Sequence, residues 1–164
     1  RAGNVIGGGD WALNRIVPDC FRSWSKLEEV IIRNPEATRP WQHVLDPLNG
    51  YLTLACNLAD GRELNGEAFN FGPESSYSVS TLVENLSNYF DGSRWNIDKK
   101  TNLPHESKLL SLNCEKSRNI LNIRQKIGLE MMSEWTSLWY KNFYNNYKIS
   151  STTVNQIEEF MNLD

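Results

Sequence analysis

The opening stretch, Arg1-Ala2-Gly3-Asn4-Val5-Ile6-Gly7-Gly8-Gly9-Asp10, constrains the fold more than any other. It reads as a β-strand over residues 1–6 that runs straight into a turn of three glycines, with no Met and no loose polar lead-in. A strand must hand its backbone donors and acceptors to neighbours, so a sheet is required from the first residue onward. The expectation is a piece of something larger, starting inside an element. The 164 residues suffice for one domain with a real core, and 40% hydrophobic against 23% charged residues excludes a disordered chain. Six Trp, six Tyr and six Phe supply that core and suit a ligand with flat or sugar-like surfaces.

Charge and cysteine usage narrow the function classes. A formal net charge of -3 leaves no basic surface for nucleic acid or anionic lipid. The apolar runs are too short to span a bilayer, so no membrane partner is expected. Three scattered cysteines without a CxxC pair point to reduced thiols and a cytoplasmic setting. Cys20 and Cys56 lie in apolar helical stretches and read as buried, inert thiols. His43 and His105 have no partners at metal-ligand spacing, so no metal site is expected.

Periodicity then lays out a mixed α/β order. Apolar positions at Ile16, Val17, Cys20, Phe21 and Trp24 predict a helix between Asn14 and Lys26, with Pro18 near its start. Val30-Ile31-Ile32 predicts a strand, residues 36–42 an irregular stretch, and 43–45 a brief extended one. Asp46-Pro47 reads as an N-cap followed by Pro at the first helical position, opening a helix through Leu48, Tyr51, Leu52, Leu54, Ala55 and Leu58 to Asp60-Gly61. Residues 68–71 predict a strand. Ser78 or Ser80 caps a helix that stops at Asp91-Gly92. Residues 94–98 and 109–112 read as extended, and Asn113 caps a short helix to Leu121. A long aromatic helix runs from Gly128 to about Tyr147, and Thr153 caps a last one to Leu163. The strands are few and short, which argues against a complete doubly wound sheet.

Individual motifs divide into those that dissolve and those that stay open. Gly7-Gly8-Gly9 follows a strand, but the spacing is neither GxGxxG nor GxxxxGK[ST], and Asp10 would repel a phosphate, so it reads as a tight turn. Tyr144 and Lys148 show a Tyr-x-x-x-Lys spacing at the end of a helix with no glycine fingerprint nearby; the match is taken as chance. In Arg39-Pro40-Trp41-Gln42-His43-Val44, Arg39 is either a fork for a phosphate or carboxylate, or a salt-bridged surface Arg beside a core Trp. Asn4 at the strand end is either an amide donor to a ligand or a turn residue. His105 and Glu106 read by themselves as loop residues facing solvent.

Taken together, several strings carry a resemblance. Gly7-Gly8-Gly9-Asp10-Trp11, Arg15-Ile16-Val17-Pro18-Asp19 and Ile31-Ile32-Arg33-Asn34-Pro35-Glu36-Ala37-Thr38-Arg39-Pro40-Trp41-Gln42-His43-Val44 resemble the CDP-glucose 4,6-dehydratases, a branch of the extended short-chain dehydrogenase/reductases. The likeness continues through Gly50-Tyr51-Leu52, Phe69-Asn70-Phe71-Gly72-Pro73, Pro104-His105-Glu106 and Trp139-Tyr140-Lys141 to Gln156-Ile157-Glu158. It implies an α/β fold, the C-terminal part of an extended short-chain dehydrogenase/reductase: the last Rossmann strand plus a small mixed α/β substrate-binding domain over residues 1–164, with an incomplete Rossmann sheet.

The resemblance also implies an NAD-dependent lyase that converts CDP-glucose to CDP-4-keto-6-deoxyglucose in deoxysugar and lipopolysaccharide biosynthesis. The glycine fingerprint and Tyr-x-x-x-Lys pair would belong to an N-terminal NAD-binding half that this chain does not match, so no residue here is assigned as catalytic and the fragment is expected to be inactive. By correspondence Asn4 and Arg39 hold the substrate diphosphate, His105 and Glu106 close over the nucleotide, and Arg1 and Ala2 lie near the nicotinamide end of the cofactor site. The alternative is a non-catalytic remnant that binds a nucleotide sugar or a protein partner. Self-association is expected from an open strand edge at Val5 and Ile6. Two departures stand out: Lys26-Leu27-Glu28-Glu29 replaces a family glycine turn, and a Gly-Trp pair is missing around Leu121-Asn122-Ile123.

Overall fold

A computed structural model describes residues 1–98 and 110–163. The opening strand forms β1 (Asn4–Ile6), which pairs in parallel with β4 (Trp41–His43), Asn4 opposite Trp41 and Ile6 opposite His43. Arg1 O and Gly3 N bond instead to Phe71, where Ala2 forms a parallel bridge. Successive peptide groups of an extended chain point to opposite edges, so β1 lies between Phe71 and β4. The expected strand over 68–71 is therefore reduced to this one bridge, while Val5 and Ile6 pair with β4 along one edge and Ile6 is buried.

Two further pairs complete the strands among the described residues. β2 (Val30–Ile32) runs parallel to β6 (Trp95–Ile97), and β3 (Thr38–Arg39) runs antiparallel to β5 (Tyr77–Ser78). The stretch expected to be irregular thus holds two strands, separated by Pro40, which cannot donate to a ladder. Residues 110–112 form no strand.

Among the described residues six helices fill in around them: α1 (Ile16–Trp24), α2 (Leu45–Ala59), α3 (Val79–Ser87), α4 (Glu115–Leu121), α5 (Leu129–Tyr144) and α6 (Ile149–Met161). α1, α3 and α5 make the core. Phe21 stacks on Tyr140 at 4.3 Å between ring centroids, and Trp24, Leu82, Leu86 and Met132 are fully buried around them. α3 starts as expected: the Ser78 hydroxyl accepts from Thr81 N at 3.1 Å.

Other helix starts differ from expectation. Asp46 lies inside α2, not at its cap; its buried carboxylate accepts the backbone N–H groups of Lys126 (2.8 Å) and Ile127 (3.4 Å). A carboxylate committed 80 residues away is not available to cap its own helix. Thr153 is likewise within α6, where its hydroxyl accepts from Trp139 Nε1 at 3.0 Å. Cys20 is buried, as expected, and burial pushes its thiol pKa up; Cys56 faces solvent on α2, against expectation.

Candidate functional site

The pairing of β1 with β4 builds the site. Asn4 N donates to Pro40 O at 3.0 Å and Asn4 lies opposite Trp41, two residues along the chain from Arg39. Arg39 is held on β3 opposite Tyr77, and Trp41 Nε1 donates to Tyr77 O at 3.1 Å. The indole thus braces the strand that carries the arginine. Arg39 is only 9% exposed, and one guanidinium nitrogen donates to Thr38 O at 2.8 Å. The side chain is sunk into the wall of a groove.

That groove has a volume of about 1050 Å³ and is lined by the β1 strand, the start of α1, β2 with the residues after it, and Arg39, Pro40 and Trp41. Asn4 and Ala2 line it as well. Its polar side chains are mostly committed. Asp10 receives Arg15 at 3.4 Å and Ala12 N at 2.9 Å, and Asp19 holds Arg22 at 2.6 Å. The groove walls also include Pro18, Val30, Ile31, Leu110 and Leu112. Sequence reasoning placed Asn4 and Arg39 here but passed over Arg15 and Arg33; their signal was membership of the same strings that carried the resemblance.

The remaining predicted residues are placed differently. Arg1 N donates to Phe69 O at 2.6 Å and Ala2 bridges Phe71, so both sit at the Phe71 side of β1. His105 and Glu106 lie outside the described residues. The glycine turn cradles no anion: a Cβ on Gly8 would lie 2.0 Å from the Trp139 ring, so the indole fills the space the glycine leaves. Gly9 takes φ +85, the left-handed conformation a tight turn needs. Tyr140 Oη, donating to Asp10 O at 2.5 Å, ties the same turn to α5. With its turn occupied by Trp139, this segment does not fit a dinucleotide diphosphate.

Tyr144 packs edge-on to Phe143 and Lys148 caps α6 on the surface, so the Tyr-x-x-x-Lys spacing forms no proton-transfer pair. Among the described residues there is no metal-ligand cluster, and no helix is long and apolar enough to cross a membrane. Both family departures occupy left-handed backbone: Leu27 has φ +61 and Asn122, after α4, has φ +54.

Comparison with known proteins gives the class first. The fold is shared with a Bacillus cereus UDP-glucuronic acid 4-epimerase solved with UDP-glucuronic acid and NAD, at a TM-score of 0.72 and 18% identity over 88% of this chain and 45% of that one. A UDP-glucose-4-epimerase from Stenotrophomonas maltophila, with bound NAD and formylated UDP-arabinopyranose, matches with a TM-score of 0.71 and 17% identity over 89% of this chain and 48% of that one. The chain shares the mixed α/β architecture of a little under half of each of these proteins.

No family model matches the chain. In sequence it is 38% identical to the CDP-glucose 4,6-dehydratase of Salmonella typhimurium strain LT2, over 98% of this chain and 45% of that protein. The chain therefore spans a little under half the length of this relative.

Proposed function

We propose that this chain is the nucleotide-sugar-binding portion of a CDP-glucose 4,6-dehydratase-like enzyme, with Asn4 and Arg39 holding the diphosphate of CDP-glucose or a related nucleotide sugar. The observation that carries this reading is the buried Arg39 in the groove wall, two residues before the Trp41 that pairs with Asn4, with Asn4 lining the same groove. A guanidinium sunk into a groove presents a fixed fork suited to a phosphate, and an amide beside it adds a neutral donor. Similarity to a CDP-glucose enzyme, and a shared fold with proteins solved holding UDP-sugars, support the choice of ligand.

The chemistry belongs to a partner half. NAD would supply a reversible hydride acceptor in such an enzyme; this chain's residues would bind and orient the nucleotide sugar, with Arg1 and Ala2, beside Phe69 and Phe71, as the residues nearest the cofactor end. A cytoplasmic setting fits the three free cysteines. Titration calorimetry with CDP-glucose tests the reading. Binding should weaken about 10- to 100-fold in Arg39→Gln and less in Asn4→Ala, as expected for hydrogen bonds to a charged group. The chain incubated with CDP-glucose and NAD should release no 4-keto sugar. Unchanged affinity in Arg39→Gln refutes the site, and turnover by the chain alone refutes the division of labour.

A further inference from the structure

We propose that Arg33, at the end of β2, distinguishes cytosine from uracil at the base end of the groove. The inference rests on the nucleotide-sugar reading and names the residue that sets its base preference. It starts from an inventory of the groove's cationic side chains. Arg39 is buried and bonds to Thr38 O, and Arg15 is paired with Asp10. Arg33 lines the same groove and is exposed, and among the described residues its guanidinium has no hydrogen-bond or ion-pair partner. It is the groove's unspent fork.

Its surroundings suit a base more than a second phosphate. The two-residue alternation of β2 turns Val30 and Ile32 into the core and Ile31 to the other face, where it is 50% exposed. Ile31, Leu110 and Arg33 all line the groove, so an apolar surface lies beside a donor fork. A pyrimidine ring offers the matching pair, an apolar face and a polar edge. The edge decides between the two pyrimidines. Cytosine presents two adjacent acceptors, O2 and N3, which a guanidinium can engage together. Uracil carries a hydrogen on N3, so one arm of the fork would meet another donor. A site built for two acceptors penalises the base that lacks one, because the groups left facing each other cannot pair.

The test titrates CDP, UDP and inorganic pyrophosphate into the full chain, its Arg33→Gln variant and its Arg33→Lys variant. Arg33 is exposed and unpartnered, so both variants should keep the native melting temperature. The native chain should bind CDP about tenfold more tightly than UDP, in line with one good bidentate contact to a base. Both variants should bring the two nucleotides within about twofold while leaving pyrophosphate binding unchanged. The proposal is overturned if the CDP preference survives in Arg33→Gln, or if CDP, UDP and pyrophosphate weaken together, which would make Arg33 a phosphate contact. If the native chain binds none of the three, the nucleotide-sugar reading falls and takes this inference with it. An unchanged CDP/UDP ratio with intact binding removes the inference alone.

Discussion

Helices α1 and α2 make an instructive pair, because both are apolar by sequence and yet they end in opposite environments. α1 buries Val17, Pro18, Cys20, Phe21 and Trp24 against α3 and α5. α2, although longer, buries only Asp46, Pro47 and Gly50, and leaves Leu48, Tyr51, Leu52 and Leu58 exposed. The buried face of α2 is its small one: a Cβ on Gly50 would lie 2.6 Å from the Phe71 ring, so glycine is what lets the helix approach the bridge beside β1. An apolar stripe states that a helix has a surface to cover, and its neighbours decide whether that surface is covered.

The largest expected effect comes from setting one helix against the other. Phe21→Ala in α1 should cost about 3–5 kcal/mol in urea denaturation, whereas Leu52→Ala in α2 should stay within about 0.5 kcal/mol. A cost for Leu52→Ala near that of a core leucine would show that α2 is covered in solution and would break the contrast.

A second effect lies at the junction of β4 and α2, where two buried groups titrate in opposite directions. Burial lowers the His43 pKa to about 4, and burial raises that of Asp46 to about 6 against the pull of the Lys126 and Ile127 N–H groups and the Lys126 charge. For His43, the unfolded chain takes up a proton near pH 6.5 that the folded chain refuses until about pH 4. Its contribution to stability is full above pH 6.5 and falls by about 3 kcal/mol as pH drops through that window. For Asp46 the folded chain takes the proton first, so stability rises by a similar amount as pH falls from about 6 to 3.8. The pair should nearly cancel. Urea denaturation from pH 7 to 4 should show stability rising in His43→Asn and falling in Asp46→Asn, each relative to the native chain; parallel profiles would refute the assignment.

The exits of the two helices sharpen the comparison further. α2 leaves through Gly61 at φ +80, while α1 leaves through Leu27 at φ +61, a conformation costly for a side chain with a Cβ. Leu27→Gly should therefore stabilise the chain by about 1 kcal/mol, read as a higher melting temperature. Asn122→Gly should gain less, since asparagine tolerates that region. The smallest change in folding, with a visible change in assembly, is expected for Leu48→Lys with Leu52→Lys. If copies of the chain meet on the exposed apolar residues of α2, sedimentation at high concentration should show the double variant shifted toward monomer. An unshifted distribution would exclude α2.

Much of this could be read locally. The helix over Ile16–Trp24 followed from its apolar spacing, the start of α3 from Ser78, and the turn at residues 7–9 from its glycines. The readings that missed were those in which a local signal was claimed by a distant partner. Asp46 before Pro47 has every local mark of a cap, but residues 126 and 127 take its carboxylate. Thr153 is drawn into α6, where it receives the Trp139 indole. Cys56 sits on an apolar helix that packs through Tyr51 and Leu54 against Phe71 and its neighbours, and the thiol lies on the side left to solvent.

For the candidate site the division is similar. Residue type and order alone determined that Asn4 belongs to an opening extended segment and that Arg39 is followed by Pro40 and Trp41. Only the tertiary structure decided that β1 and β4 pair so as to set Asn4 opposite Trp41, that Trp139 fills the glycine turn, and that Arg33 has no hydrogen-bond or ion-pair partner among the described residues. The physical reason is range. Backbone periodicity and capping act over a few residues and survive in the sequence as patterns, whereas burial and the commitment of polar groups depend on contacts formed between residues as far apart as Asp10 and Tyr140.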